Sequence, residues 1–218
     1  MNRRNTNPAL RTALAGVLAL SLAGAGVSPA LAQPAPTAVE AAGARDYAID
    51  PTHAQVRMTW NHMGLSNPGA TFETVQGVIR IDPANPAASR VSVRIPVSSV
   101  DSGVPALDAM FQNADFFDAA AHPEITFESR EVRFTGLGHV FEVDGDLTVR
   151  GVTRPVTLRA RLNGAGIHPM TGAPVVGFSA ETLIKRSEFG LDVALPMVSD
   201  DINVQITLEA SPAQETRP

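Results

Sequence analysis

The sequence predicts an all-β fold, an antiparallel sandwich or barrel of about eight short strands with one short helix inserted over about residues 104–114. Three observations support this prediction. Apolar and polar side chains alternate with a period of two, turn-forming residues separate the alternating runs, and a single stretch changes to helical spacing. The alternation is clearest over residues 56–60, 91–95, 125–127, 156–160 and 202–208.

Turn-forming residues lie between these runs, and we expect chain reversals at 82–86, 135–138, 144–146 and 163–166, which are rich in Gly, Asp, Asn or Pro. Asp144 and Asp146 flank Gly145, which we interpret as a tight turn or bulge. An acid–base pair or a cation site is the alternative. No neighbouring residue would separate the two pKa values as an acid–base pair requires.

The helical stretch runs from Val104 to Phe117. Its apolar residues Leu107, Met110, Phe111 and Ala114 fall at helical spacing. Asp101 or Ser102 precedes them as a candidate N-cap. A single helix in an otherwise all-β chain suits a plug or a flank on a barrel.

The N-terminus has the three parts of a secretory signal peptide. Three arginines precede an uncharged apolar run from Ala13 to Val27, and the small triplet Ala30–Ala32 follows. A retained membrane anchor is the alternative, but a span needs about 20 apolar residues and this run is shorter. We therefore expect cleavage before Gln33, export to the periplasm, and no integral membrane span after the signal is removed.

The chain divides into four predicted regions, which are a signal peptide at 1–32, an Ala/Pro-rich flexible linker at 33–44, a folded domain at 45–210 and a disordered tail at 211–218. There is no cysteine, so disulfides, thiol nucleophiles and thiolate metal sites are excluded. The net charge of −5 argues against nucleic acid and against simple electrostatic docking on anionic membranes.

Local motifs for catalysis or metal binding are missing from the sequence. The five histidines lack ligand spacing, and there is no nucleophile elbow or phosphate-binding loop. We therefore predict no catalytic residues, no metal site and no covalent cofactor.

A barrel of about eight strands is just wide enough to be filled by side chains or to hold one slender ligand. The predicted inward-facing residues are Met58, Trp60, Phe72, Phe127, Phe134, Phe141 and Phe178. Periodicity alone leaves a filled and a hollow lumen equally open.

Several segments, in order along the whole predicted domain, resemble the YceI-like family. They are Tyr47–His53, His62–Ser66, Gly69–Phe72, Gly77–Asp82, Ala114–Asp118, His122–Ser129, Gly145–Val156 and Arg186–Gly190. The resemblance implies a lipocalin-like antiparallel barrel whose elongated apolar cavity takes polyisoprenoids, including isoprenoid quinones. One departure matters, since many relatives carry Arg-Asp-x-His-Leu where this chain has Leu107–Phe111. Losing that arginine and histidine favours a neutral head group.

We therefore predict a periplasmic carrier of a long isoprenoid lipid rather than an enzyme. The tail would supply affinity by burial, and His62, Asp108 and Arg186 are the predicted head-group residues at the mouth. For His62 the alternative is a hydrogen-bonded turn histidine, and for Arg186 a surface or ion-paired structural arginine. The alternative functions are a filled barrel that acts through a protein partner and, less favoured, an enzyme that acts on a bound quinone. A homodimer stays open.

Overall fold

Eleven antiparallel strand segments form one closed sheet in a computed structural model, which describes residues 43–137 and 139–213. The segments are β1 (Arg45–Ile49), β2 (Gln55–His62), β3 (Gly69–Phe72), β4 (Gln76–Ile81), β5 (Arg90–Pro96), β6 (Val100–Asp101), β7 (Glu124–Phe134), β8 (Val140–Val149), β9 (Val152–Ile167), β10 (Pro174–Lys185) and β11 (Val198–Pro212). The described chain also contains one α-helix, α1 (Pro105–Gln112), and short 3-10 helices at Pro86–Ala88, Val97–Ser99 and Arg186–Phe189.

The described segments occupy eight strand positions around a barrel. β1 and β2 share the first position, β3 and β4 the second, and β5 and β6 the third, while β7 to β11 are continuous. β11 pairs with β10 along one edge and with β2 and then β1 along the other. The sheet therefore closes on itself without a free edge at this seam. The predicted antiparallel barrel of eight strands is confirmed, and the sandwich alternative is excluded.

A short bend at Asp50 divides the first strand position. One carboxylate oxygen of Asp50 accepts hydrogen bonds from the backbone N–H of Thr52 at 2.8 Å and from its hydroxyl at 2.7 Å, while the other lies 2.8 Å from Nδ1 of His53. The Thr52 hydroxyl, with His53, lowers the pKa of Asp50 to about 2, and the carboxylate raises the pKa of His53. Such local side-chain bonds favour a turn over a continuous strand.

The helix lies close to its predicted position of 104–114. It begins at Pro105, and its N-cap is Val104, which makes no side-chain cap. The predicted capping role of Asp101 or Ser102 is wrong, because both residues precede the N-cap position. Their side-chain oxygens accept hydrogen bonds from the N–H groups of Gly103 and Val104, before the helix begins. Ser102 instead contacts the helix from outside, since its hydroxyl donates to the carboxylate of Asp108 at 2.5 Å.

The two ends of the barrel differ in their connections. The helix end consists of the turns at 63–68, 97–123, 150–151 and 186–197. The hairpin end consists of the turns at 82–89 and 168–173, the described residues 135–137 and 139 between β7 and β8, and both termini of the described chain. Side chains from β1, β2, α1 and the segments near them form the main core, with buried Tyr47, Trp60, Phe72, Phe111 and Phe189 among its largest members.

Two of the predicted turns are wrong. Residues 144–146 lie inside β8 and residues 163–166 lie inside β9. In both places the pairing with a neighbouring strand shifts by one residue. The extra residue is Arg130 of β7 opposite Gly145, and Asn163 of β9 itself, so β8 has no bulge at Gly145. Glycine within a strand marks a bulge or a close approach as well as a turn, and composition alone does not separate these uses.

The outward-facing Asp144 has a structural partner set on the barrel wall. Its carboxylate accepts hydrogen bonds from the hydroxyl of Thr157 at 2.5 Å and from the guanidinium of Arg133. The Thr157 hydroxyl and then Arg133 lower the pKa of Asp144. Asp146 lies 3.1 Å from Arg130 in a separate ion pair. The two carboxylates therefore stabilise neighbouring strands separately and do not form an acid–base pair.

The predicted disordered tail begins too early. Ser211 and Pro212 belong to β11, where they pair with Ala48 and Tyr47 of β1. This pairing closes the barrel, and a proline is tolerated at the end of a strand. The remaining residues of that tail from 214 onward, the predicted signal peptide at 1–32 and the linker as far as 42 lie outside the described residues.

Gly145 is required because an aromatic ring packs directly on its backbone. A Cβ at this position would meet Cζ of Phe127 at 2.4 Å and the carbonyl oxygen of Glu128 at 2.6 Å. We expect Gly145→Ala to lower the free energy of unfolding by about 1–3 kcal/mol, since overpacking displaces neighbouring atoms. Urea-induced unfolding measures this loss.

Gly164 is the matched control on the next strand, because a Cβ there would meet nothing within 4 Å. Gly164→Ala should leave stability unchanged or raise it by up to about 1 kcal/mol. Equal effects of the two substitutions would contradict the close packing of Phe127 on β8.

Candidate functional site

The interior of the barrel is hollow. A cavity of about 1090 Å³ extends inside the sheet, and apolar side chains form almost all of its wall. On β2 the inward residues Val56, Met58 and Trp60 line this cavity, whereas the residues between them face outward. The question that periodicity left open is therefore decided in favour of a lumen with room for a ligand.

The inward-facing side chains of β9 also indicate a hollow interior, because they are only partly buried. On β9 the inward-facing Leu158, Ala160 and Leu162 line the cavity, yet none of them is fully buried. In a filled core these positions would be closely packed. They remain accessible here because the lumen beside them is empty of side chains.

The predicted lumen residues are placed correctly. All seven line the cavity, namely Met58, Trp60, Phe72, Phe127, Phe134, Phe141 and Phe178. Alternation along each strand predicts the facing of a side chain well, because successive residues point to opposite faces of a sheet. That these residues contact a lipid stays a prediction.

Aromatic side chains narrow the lumen at the helix end. Phe111 of α1 is buried and contacts Trp60 in an edge-to-face arrangement with ring centroids 5.8 Å apart. Phe116 and Phe117 lie 5.9 Å and 6.0 Å from Phe111. The helix thus holds an aromatic cluster across this end of the barrel, as expected for a plug.

At the hairpin end the cavity extends between the turns. Pro83, Pro86 and Ser89 of the β4–β5 connection line it, together with His139 and Phe134. Phe134 is 52% exposed and lies 5.6 Å from the ring of Phe141. The lumen therefore spans the barrel from the aromatic cluster at the helix end to the turns at the hairpin end.

Two of the three predicted head-group residues line the cavity. His62, at the end of β2, is half-buried in its wall, and Arg186 lies in the wall near it. Asp108 does not line the cavity, because its carboxylate turns away from the lumen and accepts hydrogen bonds from the backbone N–H and hydroxyl of Ser102 at 2.7 Å and 2.5 Å. Sequence spacing on the helix did not reveal this local partner.

Arg186 is the charged residue that the described core buries, with 8% of its surface exposed. Its Nε donates to the carbonyl oxygen of Ser199 at 2.9 Å, and its Nη2 donates to that of Val198 at 3.0 Å. Its Nη1 donates to the carbonyl oxygens of Leu191 and Val193 at 2.5 Å and 2.9 Å. The guanidinium thereby fastens the 190–199 segment across the helix end.

Arg186 therefore has the structural role that the alternative gave it. It is neither on the surface nor in an ion pair among the described residues, so those parts of the alternative are wrong. Burial lowers its pKa, opposed by the charges of Asp200 and Asp192. A guanidinium has five N–H donors, and four have carbonyl partners in the described chain. One N–H therefore has no partner among the described residues, and Arg186 lines the cavity.

Other chemistry is sparse in the part of the chain that the structure describes. No group of three or more His, Asp or Glu side chains is placed to hold a metal ion in the described ranges. Over the same residues, no helix has both the length and the apolar character needed to cross a membrane. The features that converge are a long apolar lumen and a buried cation beside it.

Comparison with known sequences agrees with this architecture. Residues 47–210 match the profile described as the YceI-like domain. Protein YceI of Escherichia coli O157:H7 is 38% identical over 168 residues, which cover 76% of this chain and 86% of that protein. A UPF0312 protein of Azotobacter vinelandii is similar to the same degree, with 38% identity over 168 residues and the same coverage of both chains.

Solved structures share the fold. The YceI protein of Campylobacter jejuni has a TM-score of 0.62 and 30% identity, covering 71% of this chain and 90% of that one. BcnA of Burkholderia cenocepacia has a TM-score of 0.67 at 24% identity, with 74% and 98% covered. A polyisoprenoid-binding domain from Saccharophagus degradans has a TM-score of 0.58 at 16% identity, with 77% and 98% covered.

The hydrogen bonds of Arg186 generate a prediction about stability. Arg186→Met should lower the free energy of unfolding by about 3–5 kcal/mol, because four buried carbonyl groups lose their donors. Arg186→Lys should recover only part of this loss, since an ammonium group cannot reproduce the planar fork. Urea unfolding and amide hydrogen exchange of residues 190–199 measure both effects. Unchanged exchange in this segment would contradict the fastening role.

Proposed function

The chain belongs to the YceI-like family, and on that premise we propose that it carries a long apolar isoprenoid lipid in its lumen within the periplasm. The single observation that supports the proposal most is the hollow apolar lumen of about 1090 Å³. The domain from Saccharophagus degradans, described as polyisoprenoid-binding, shares this fold. The family relationship supports a binding protein rather than an enzyme.

Burial of the lipid tail supplies the driving force. The lumen has room for roughly 35 water molecules at about 30 Å³ each, and its apolar wall offers those waters few hydrogen bonds. A tail that removes about 400 Å² of apolar surface from water would contribute roughly 10 kcal/mol before the cost of association. This contribution needs no directional contacts, so affinity comes from the tail and selectivity from the few polar groups in the wall.

Arg186 and His62 are the polar groups proposed to meet the head group. The unused N–H of Arg186 suits an oxygen acceptor such as a quinone carbonyl. The positions of α1 that face the lumen, Leu107, Met110 and Phe111, are all apolar. A phosphate would therefore meet one buried guanidinium, already bound to carbonyl groups, and His62 in a mostly apolar wall. This supports a neutral head group, with an isoprenoid quinone as the ligand.

The carrier proposal is tested by reducing the lumen. Ala180 of β10 lines the cavity, while the adjacent Glu181 points outward and pairs with Arg159 at 3.1 Å. Ala180→Trp should strongly reduce the amount, or shorten the tail, of lipid that co-purifies from a bacterial periplasm, because the indole occupies the space of the tail. Native mass spectrometry followed by organic extraction measures both.

Glu181→Trp is the matched control, because it adds the same side chain to the outer face of the same strand. It should leave the bound lipid unchanged. Equal lipid content in both variants and the unaltered protein would argue against binding in the lumen. An apo mass that stays unchanged after incubation with quinones and polyprenyl phosphates would remove the proposal altogether.

The head-group preference has a separate test. We expect an isoprenoid quinone to bind at least tenfold more tightly than a polyprenyl phosphate of matched tail length. The phosphate loses hydration when it enters the lumen, and a cost of about 1.4 kcal/mol is enough for a tenfold ratio. Competition for the lumen, followed by native mass spectrometry, measures the ratio. Equal affinity for the two lipids would contradict a neutral preference while leaving the carrier proposal intact.

A further inference from the structure

Charge is segregated between the two ends of the barrel. Each end is counted as its turns with two flanking residues on each side, and the hairpin end also includes the described termini. Counted in this way, the hairpin end carries four arginines and two aspartates. The helix end, taken in the same way, carries three cations and seven carboxylates. The overall charge of −5 averages over this difference, so it does not describe what either end presents to a partner.

The arginines of the hairpin end differ in how far their charge is compensated. Arg80 pairs with Asp46 at 3.1 Å, and Arg133 contacts several carboxylates of β7 and β8. Arg45 and Arg90 have no carboxylate partner among the described residues. The exposed Arg161 lies on β9 opposite Val140, just behind the turns, and likewise has none within the described ranges. Three uncompensated cations therefore surround this end.

Exposed apolar side chains extend from the tips of the same turns. Leu137 is 70% exposed at the tip of the β7–β8 turn, and Met170 is 89% exposed at the tip of the β9–β10 turn. Ile167 and Phe134 beside them are 61% and 52% exposed. Apolar residues at protruding tips with cations behind them are the arrangement by which proteins insert shallowly into anionic bilayers.

We propose that the hairpin end is a docking surface for an anionic phospholipid bilayer. Leu137, Ile167 and Met170 enter the boundary between head groups and acyl chains, and Arg45, Arg90 and Arg161 contact the lipid phosphates. The helix end also exposes apolar residues, including Leu65 at 80% and Met197 at 60%. Its excess of carboxylates is repelled by an anionic surface, which decides the orientation.

Docking through this end also places the lumen against the bilayer. His139 and Phe134 belong to the docking surface and line the cavity as well. A lipid entering here with its head group leading would reach Arg186 at the far end while its tail followed. This route rests on the proposed function, but the docking itself does not, because a barrel without cargo presents the same tips and charges.

Vesicle co-sedimentation of the protein recovered after export tests the proposal. We expect binding to vesicles of equimolar phosphatidylglycerol and phosphatidylcholine, and little binding to pure phosphatidylcholine. Binding should weaken steeply as salt rises, because the Debye length falls from about 10 Å at 0.1 M to about 3 Å at 1 M. The double variant Leu137→Asp with Met170→Asp should bind at least tenfold more weakly, through lost apolar burial and added repulsion.

The helix end provides matched controls. Leu65→Asp with Met197→Asp makes the same chemical changes at exposed positions and should leave vesicle binding unaltered. Arg45→Gln should weaken binding about fivefold, from the contribution of one arginine at an anionic surface. Arg154→Gln, on β9 near the helix end, should not. Circular dichroism confirms that each variant remains folded.

Three outcomes would overturn the docking proposal. They are absence of binding by the unaltered protein, equal binding to phosphatidylcholine alone, and a greater loss from the helix-end pair than from the hairpin-end pair. None of them tests cargo binding, which is read separately from the extracted lipid. Lipid-loaded protein that does not bind vesicles would therefore reject docking alone. Protein that binds vesicles but takes up neither quinones nor polyprenyl phosphates would reject the carrier function alone.

Discussion

Closure of the sheet by β11 is the interaction on which the rest of the structure depends. This strand pairs with β10 along one edge and with β2 and β1 along the other, so the seam satisfies its backbone donors and acceptors within the wall. A closed wall is held by its own hydrogen bonds and does not need a filled interior. The lumen can therefore stay hollow, which an open sandwich, held by contact between two inner faces, would not permit.

A hollow barrel must be held at its ends, and this protein does so with two different devices. At the helix end, α1 contributes Phe111 to an aromatic cluster against Trp60, and Arg186 fastens the 190–199 segment through four carbonyl groups. At the hairpin end, short turns leave the lumen close to the surface. The two ends also differ in their chemistry. The helix end has the buried cation Arg186, and the hairpin end exposes the apolar tips Leu137 and Met170.

Much of this architecture could be predicted from alternation along single strands. Inward residues such as Met58 and Phe127 were assigned correctly because strand periodicity sets their facing whatever the register. Predictions that depended on a partner distant in the chain were less successful. Gly145 was assigned to a tight turn or a bulge, although it lies within a strand beneath the ring of Phe127. Ser211 was assigned to a tail, although it pairs with Ala48. Asp108 was assigned to the mouth, but its carboxylate binds Ser102.

Local periodicity and the ordered motifs of the sequence were enough to predict the strand and helix content, the facing of the lumen residues and the family. Whether the lumen is hollow became known from the packed barrel, because the space inside a closed sheet depends on how all eight strand positions pack together. The packed barrel also revealed the role of Arg186, whose partners are carbonyl groups in another segment, and the separation of charge between the ends. These properties depend on the distances between residues that are far apart in the chain. Composition and motif spacing give no information about those distances.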